Sequence, residues 1–282
     1  MRTFIISAIA VLALIACNDE NPIDAEQYFK QIYIVGADGD MITREVAYDS
    51  IFTETFVSVA IGGSLPADRD VNVALVEEPE GIAVYNRKNL SVSETQYQPL
   101  ARAAYEYATE SVTIRAGEVY AKFPITIYPT GLHCDSLYAI PLKIATVSDY
   151  SIRAADTVLL VRVLPVNALA GIYFSSTTRQ VLPDGAPSSP VGLSRTLTAV
   201  NANTVRFIHE AAEVAENISA SAITFSVNAN NTLTVAAWDA FPLLDGGGTH
   251  DPSTETFTYW YTYTSGSTSY RVEGQLVPNE NR

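Results

Sequence analysis

Apolar and polar residues alternate with a period of two in FTYWYTYT, residues 257–264. Such alternation indicates a β-strand with one face against a core and the other face in water. The residues of one parity are all aromatic and are predicted to face the core: Phe257, Tyr259, Tyr261 and Tyr263. Trp260 falls on the other parity, together with Thr258 and Thr262. The pattern therefore places the largest apolar side chain of the stretch on the wet face.

Residues 30–165 are predicted to form a first β domain. Its strand patterns cover 31–36, 45–49, 52–61, 70–78, 111–128, 136–147 and 157–164. The pattern over 111–128 predicts a hairpin that turns at Ala116 and Gly117, whereas 101–110 is too short to identify as a helical turn. Short strands separated by Gly, Pro, Asp and Asn indicate an antiparallel two-sheet sandwich of immunoglobulin-like type.

A small-residue junction, VNALAG at 166–171, precedes a second β domain over 170–282. Its strand patterns cover 172–182, 194–200, 204–210, 222–230, 232–238, 256–264 and 269–277. The glycine-rich stretch 239–255 is predicted to be a loop. Successive strands with short connections indicate an antiparallel meander, either a small barrel or a curled sandwich. The predicted fold class is therefore all-β throughout.

The first residues, MRTFIISAIAVLALIAC, have a basic start and an apolar run that is shorter than the ~20 residues a membrane-spanning helix needs. The end of the run, Leu14 to Cys17, resembles a bacterial lipobox. This predicts a signal peptide over 1–16, acylation of Cys17 with lipids such as palmitate, and a flexible tether over 17–29. The alternative is a secreted protein whose signal ends near a cysteine by chance.

An acidic pair follows the cysteine, Asp19 and Glu20. It resembles the signal that sends lipoproteins of Bacteroidota to the cell surface. We therefore expect a lipid anchor in the outer membrane with display on the cell surface, and the periplasmic face is the alternative.

Charge and cysteine content narrow the class of protein. The formal net charge is −14, from 31 acidic and 17 basic residues, which argues against binding nucleic acid or an anionic membrane surface. Apolar residues make up 48% of the chain, which is enough for substantial cores. If Cys17 carries lipid, Cys134 has no partner for a disulfide.

The sequence offers little for catalysis, and we predict neither an enzyme nor a cofactor. Leu-His-Cys-Asp at 132–135 contains a nucleophile, a base and an acid, but adjacent residues point apart, so Cys134 is expected to be a small buried residue. The three histidines lack metal-ligand spacing. DGGGTHD at 245–251 lacks the alternating oxygen ligands of a calcium loop. No metal site is predicted.

Both tryptophans of the chain, Trp238 and Trp260, fall on threonine faces. If strands 232–238 and 256–264 pair across the loop 239–255, the two indoles share one wet face. Sugar rings stack on exposed indoles, and the side chains placed to bind their hydroxyls are Asp239, Thr258 and Thr262. Two alternatives remain: both tryptophans are packing residues, or they form a contact patch for another protein.

Several motifs resemble a known family. GADGD after the first strand, YN at 85–86, TIRAGEVYAKFPITI and LYAIPLKI resemble the N-terminal domain of surface lipoproteins encoded in polysaccharide-utilisation loci of Bacteroidota. HDPSTETFTYWYTY and the strand after it resemble the small C-terminal domain often fused to it. One departure is Ala101, where the family pattern has proline.

The resemblance implies a function that residue patterns do not. The family is similar to the accessory glycan-binding lipoproteins of starch-utilisation-type systems, so a polysaccharide or oligosaccharide is the expected ligand. The implied role is delivery of glycan to a neighbouring outer-membrane transporter complex, with the first domain as a spacer. The alternative is an adhesion or assembly lipoprotein that contacts another protein through its aromatic face or a sheet edge.

Overall fold

A computed structural model describes residues 25–209 and 217–279 of the chain. It confirms the all-β fold class, with a two-sheet sandwich followed by an antiparallel meander that closes into a barrel. The predicted signal peptide, Cys17 and the first part of the tether lie outside the described residues. No helix among the described residues has the length and apolar character to cross a membrane.

The N-terminal sandwich contains eleven of the described strands. In chain order they are β1 (Gln31–Ile34), β2 (Met41–Ala47), β3 (Thr53–Gly62), β4 (Val71–Glu77), β5 (Tyr97–Pro99), β6 (Tyr105–Tyr107), β7 (Ser111–Ile114), β8 (Tyr120–Ile127), β9 (Leu137–Val147), β10 (Ser151–Ile152) and β11 (Val158–Val166). One sheet has the order β10-β1-β3-β8-β6. The other has the order β2-β11-β9-β4-β7, with β5 also pairing β9.

Inward-facing apolar residues of the two sheets form one core between them. Alternate positions of each strand contribute to it, for example Ile32 and Ile34 of β1, Val57 and Val59 of β3, and Val161 of β11. Burying each such side chain contributes about 1.5–3 kcal/mol. The core therefore explains why this half of the chain reads as short alternating strands.

The predicted hairpin over 111–128 is wrong. The turn is present, and Gly117 supplies its positive φ of 86°. However, β7 pairs with β4 in one sheet, whereas β8 pairs with β3 and β6 in the other. The chain therefore arches between sheets, and a local pattern cannot distinguish an arch from a hairpin because both alternate and both turn at glycine.

Two further elements of the sandwich differ from expectation. A helix that the pattern did not indicate, α1 (Glu80–Asn89), connects β4 to β5 and buries Ile82 against the sheet. The ambiguous stretch 101–110 contains a short 3-10 turn at Arg102–Ala104 followed by β6.

The C-terminal domain is a closed eight-stranded barrel. In chain order its strands are β12 (Gly171–Val181), β13 (Val191–Asn201), β14 (Thr204–Ile208), β15 (Ala222–Val227), β16 (Thr232–Ala237), β17 (Leu243–Asp251), β18 (Thr256–Ser265) and β19 (Thr268–Pro278), with the short helix α2 (Ile218–Ser221) before β15. Each strand pairs with the next, and β19 pairs back onto β12. The meander prediction is confirmed in its barrel form.

The predicted loop 239–255 is wrong, because it contains strand β17. Two of its three glycines are required by crowding: a β-carbon at Gly246 would lie 2.8 Å from Val235 and 3.1 Å from the Cβ of Tyr261, and one at Gly248 would collide with the main chain at Thr258. The pairing of 232–238 with 256–264, on which a shared face for the two indoles depended, does not form, since β17 lies between those strands.

Aromatic rings fill most of the barrel interior. The parity predicted for β18 is confirmed, since all four of its alternate aromatic residues are buried. The interior rings are Tyr173, Phe207, Phe225, Phe257, Tyr259, Tyr261 and Tyr263. Ring centroids are 5.6 Å apart for Tyr173 and Phe257, and 4.9 Å apart for Phe225 and Tyr259. Contacting rings at these distances give the barrel a continuous core.

Gly274→Ala is expected to lower the free energy of unfolding by about 1–3 kcal/mol through overpacking. Its methyl group would lie 2.6 Å from the Tyr259 hydroxyl and 2.7 Å from Thr177 Cγ2 inside the barrel. Gly247→Ala is the matched control, because its methyl group would lie 3.5 Å from the Trp260 ring, an ordinary contact distance. Denaturant unfolding followed by circular dichroism measures both variants, and equal losses would contradict the claim that interior volume is limiting.

Candidate functional site

Trp238 lies at the joint between the two domains and not on an open sugar platform. The Arg206 guanidinium carbon is 4.6 Å from the centroid of the indole ring, and the ring of His133 is 5.9 Å away. Trp238 is half-buried by these contacts. Because His133 belongs to the sandwich and Arg206 to the barrel, the indole packs where the two domains meet.

The same joint contains a bidentate ion pair. Arg206 donates from its two terminal nitrogens to Asp135, at 2.7 and 2.5 Å. The arginine side chain is only 7% exposed, and its hydrogen bonds hold the pKa of the Asp135 carboxyl below the ordinary value. The loop that carries Asp135 is fixed to the sandwich, because the backbone N–H of His133 donates to Tyr138 Oη at 3.1 Å.

The stretch 132–135 therefore has a structural role. The ligand atoms of His133, Cys134 and Asp135 lie within 4.8 Å of one another, but both carboxylate oxygens of Asp135 already accept hydrogen bonds from Arg206. Burial raises the pKa of the Cys134 thiol, which keeps it protonated and weakly nucleophilic near neutral pH. We assign the stretch to the joint between domains.

Trp260 lies on the outer wall of the barrel, as predicted. Its indole packs against Gly247 of the neighbouring strand, and the Arg271 guanidinium carbon is 4.3 Å from the ring centroid. Arg271 in turn donates from Nε to Glu273 at 2.7 Å. The indole is therefore half-buried and already stacked with a cation of the chain itself.

The predicted site residues do not form one platform. Thr258 and Thr262 lie beside Trp260 on the outward face of β18, whereas the Asp239 carboxylate accepts a hydrogen bond from Ser219 at 2.5 Å near Trp238. Strand rise and spacing place the Cα atoms of the two tryptophans about 16 Å apart. The shared aromatic face expected for Trp238 and Trp260 is thus absent, since β17 separates their strands.

The barrel contains a half-open cavity of about 270 Å³ that the sequence analysis missed. It lies between the wall formed by β12 and β13 and the aromatic residues of β14 and β18. The residues that line it are Thr177, Thr178, Arg179, Ser188, Val191, Leu193, Arg195, Phe207, Tyr259, Tyr261 and Val272. Eight-stranded barrels have an interior of the size that side chains fill or that one small ligand occupies.

The walls of the cavity combine aromatic and polar groups. Phe207, Tyr259 and Tyr261 supply ring surfaces, while Arg195 carries a charge that is 4% exposed. The Tyr261 hydroxyl is 2.6 Å from His209 Nδ1. The Tyr259 hydroxyl has no hydrogen-bond partner among the described residues, and burial raises the pKa of Tyr259, so the hydroxyl stays protonated.

The rim of the cavity is formed by the connection between β12 and β13. Ser188 folds back on the end of β12: its Oγ accepts from the Arg179 N–H at 3.0 Å, and its own N–H donates to the Arg179 carbonyl at 2.8 Å. Val191 is 50% exposed at this rim. The rim therefore has a defined shape and carries hydroxyl, guanidinium and apolar groups.

One sequence signal could have located the cavity. In SRTLTAV, Arg195 has the same parity as Leu197 and Ala199, both of which face the interior. A cation on the inward parity of a barrel strand is costly unless it has a polar environment. Read this way, Arg195 marks a polar region inside the barrel.

Arg206→Met is expected to destabilise the protein by about 1.5–3 kcal/mol, because it leaves the Asp135 carboxylate without its charged donor. Arg271→Met is the control, since its partner Glu273 is 59% exposed and such pairs contribute at most about 1 kcal/mol. Because the Asp135 pKa is lowered on folding, the contribution is present above the ordinary value of 3.8 and is lost as pH falls through the folded value. Thermal unfolding at pH 7 and pH 3 measures the stability lost by each variant. A loss for Arg206→Met at pH 7 no larger than that for Arg271→Met would contradict the prediction.

Tyr259→Phe is expected to raise the free energy of unfolding by about 1 kcal/mol, because it removes a buried hydroxyl that lacks a protein partner. Tyr173→Phe is the matched control: its hydroxyl donates to the Leu169 carbonyl at 3.0 Å, so its removal should cost about 0.5–1.5 kcal/mol. Urea unfolding without ligand measures the free energy of unfolding of both variants. A loss of stability for Tyr259→Phe as large as that for Tyr173→Phe would contradict the claim that the Tyr259 hydroxyl lacks a protein partner.

Two family models match the chain in succession. A model described as an N-terminal domain matches residues 28–151, and a model described as a C-terminal domain matches residues 157–277. No curated protein matches the chain.

Solved structures from Bacteroides share the two-domain fold. A protein of unknown function from Bacteroides ovatus is 18% identical, with a TM-score of 0.66 over 90% of this chain and 98% of that one. A multidomain protein including DUF1735 from the same species is 19% identical, with a TM-score of 0.65 over 89% and 94%. An auxiliary nutrient binding protein from Bacteroides thetaiotaomicron is 16% identical, with a TM-score of 0.61 over 86% and 91%. Residues 28–151 and 157–277 therefore match two domain models in succession, and the chain has the fold of these three Bacteroides proteins.

Proposed function

We propose that the protein is a non-catalytic carbohydrate-binding protein whose binding site is the cavity inside the C-terminal barrel. The observation that carries the proposal is the lining of that cavity, where three aromatic residues lie beside hydroxyl and guanidinium groups. The similar fold of a protein named as auxiliary nutrient binding supports the same class of function.

The lining fits the two kinds of surface that a sugar presents. The C–H faces of a pyranose ring are apolar and pack against aromatic rings such as those of Phe207 and Tyr259. Its hydroxyls need hydrogen-bond partners, and the hydroxyl oxygens of Thr177 and Ser188 in the lining can accept from them. Mostly apolar pockets with a few convergent polar groups are typical of small-molecule sites.

The same lining does not favour hydrolysis. Glycoside hydrolases generally place two carboxyl groups on either side of the scissile bond. None of the described residues that line the cavity is an aspartate or a glutamate. Elsewhere, the adjacent Glu77 and Glu78 are each close to a basic group, at 3.5 Å from Arg102 and 2.8 Å from Lys143. Binding without catalysis is therefore the function proposed.

The cellular part of the proposal rests on the sequence. Acylation at Cys17 anchors the chain in the outer membrane, and Asp19 and Glu20 favour display on the cell surface. The sandwich then acts as a spacer, and the joint at Arg206 and Asp135 holds the barrel against it. Binding of about millimolar to micromolar affinity is sufficient in this setting, because many tethered copies act together on a polymer. The captured glycan passes to a neighbouring transporter complex.

The outer wall around Trp260 is the second candidate for the site. It offers one indole with Thr258 and Thr262 beside it, which suits a single sugar ring or a protein surface. Arg271 lies over that indole, so a ligand must displace the guanidinium or stack beyond it. We therefore rank this wall below the cavity, both for glycan binding and for the adhesion alternative.

Affinity gel electrophoresis with starch, xylan, arabinogalactan and yeast mannan tests the proposal. The wild-type chain is expected to be retarded by at least one of these glycans. Val191→Trp, which blocks the exposed rim of the cavity, is expected to weaken that retardation at least tenfold. Trp260→Ala, the matched control on the outer wall, is expected to change it less than twofold. A loss of retardation with Trp260→Ala but not with Val191→Trp would place the site on the outer wall. No retardation by any glycan would refute carbohydrate binding.

A further inference from the structure

We infer that the sandwich carries a second glycan-binding site, a groove between helix α1 and the face of strand β11 that points away from the core. The groove is half-open and has a volume of about 380 Å³. None of the described residues that line it belongs to the barrel. The class of ligand rests on the proposed function, whereas the groove is an independent observation.

The floor of the groove is apolar and is supplied by β11. Val158 and Leu160 line it, since their neighbours Leu159 and Val161 have the opposite parity and lie in the core between the two sheets. An apolar floor is favourable for the C–H faces of a sugar ring, because both surfaces are removed from water on binding.

Helix α1 forms the facing wall through Val84 and Tyr85. The helix is fixed to strand β5: the Asn86 amide donates to the Tyr97 carbonyl at 2.8 Å and accepts from the Tyr97 N–H at 3.1 Å. The rings of Tyr85 and Tyr97 also contact each other, with centroids 5.5 Å apart. The wall is therefore formed without a ligand, and binding requires little reordering.

An ion pair lies at each end of the groove. At the N-terminal end of α1, Lys143 Nζ lies 2.8 Å from a carboxylate oxygen of Glu78. At the C-terminal end, Lys88 Nζ lies 2.5 Å from a carboxylate oxygen of Asp40. Gly81 and Lys88, which line the two ends, are about two helical turns apart, so the groove is about 10 Å long.

Each ion pair suits adjacent hydroxyls of a sugar. A lysine ammonium has three donors and a carboxylate has two acceptor oxygens, so the hydrogen bond within a pair leaves further donors and acceptors. A sugar hydroxyl both donates and accepts, and two neighbouring hydroxyls can therefore bind an ammonium and a carboxylate that lie side by side. All four side chains are partly exposed, so a ligand in the groove can reach them.

Charge and size favour a neutral ligand of two sugar residues. Each lysine balances the carboxylate of its partner, and the further carboxylate of the lining, Glu80, lies 3.0 Å from Arg87. A pyranose ring has about the volume of six waters, roughly 180 Å³ at about 30 Å³ for each water. The groove of about 380 Å³ therefore takes two rings, with one ion pair beside each ring.

Val84→Trp, which fills the groove with an indole, is the first test. Val84 is 49% exposed, so the larger side chain does not disturb the core. In affinity gel electrophoresis of the mature chain with starch, xylan, arabinogalactan and yeast mannan, the variant is expected to weaken retardation by the glycan that binds at least fivefold. Arg87→Trp is the matched control on an exposed position of α1 outside the lining, and it is expected to change retardation less than twofold.

Lys88→Met and Lys143→Met test whether the ligand spans the groove. Each variant removes the donors at one end and is expected to weaken retardation by the same glycan about threefold to tenfold. The lysine side chains are 62% and 42% exposed, so their ion pairs add little stability and the melting temperatures are expected to stay near that of the wild type. A loss of retardation with only one of the two variants would contradict a ligand that reaches both ends.

The outcomes separate this inference from the barrel proposal. Unchanged retardation for Val84→Trp, together with a loss for Val191→Trp, would overturn the groove and leave the barrel site intact. The reverse pattern would support the groove and contradict the barrel site. An equal loss for Arg87→Trp and Val84→Trp would also overturn the groove, and no retardation by any glycan would overturn both sites.

Discussion

The interior volume of the closed barrel is the constraint on which the rest of this domain depends. One strand, β18, places four aromatic side chains inside a barrel of only eight strands. The neighbouring strands make room with glycine, at Gly246 and Gly248 of β17 and at Gly274 of β19. The rings still do not fill the side next to β12 and β13, where inward positions carry Thr177 and Arg195 in place of large apolar residues. The cavity is the space left by that unequal filling.

A second constraint decides which surfaces remain available to a ligand. The barrel is joined to the sandwich through Arg206 and Asp135, and a guanidinium held this far from water needs partners on all sides. Asp135 supplies the charge, and Trp238 covers the face of the guanidinium. Trp238 is therefore used in the contact between the two domains. Trp260 remains on the outside, where Arg271 stacks on it.

The candidate site shows how far local patterns extend. The alternation in 257–264 correctly assigns Tyr259 and Tyr261 to the interior and Trp260 to the exterior. It does not say what those inward rings enclose, because the opposite wall of the cavity comes from strands about 65 to 85 residues earlier in the chain, around Thr177 and Arg195. Nor does it say that Trp238 meets a loop of the other domain. Both facts depend on which strands become neighbours.

The sequence by itself determined the all-β class, the strand faces and the antiparallel meander, because alternation is a local property that each strand carries alone. Only the tertiary structure decided that 111–128 arches between sheets, that the glycine-rich stretch around 245–251 is a strand, and that the two indoles lie apart. In each case the outcome depended on which strand became the partner across the sheet, or on the space inside the barrel. Neighbouring residues in the chain do not encode either, since both arise only when distant strands close on one another.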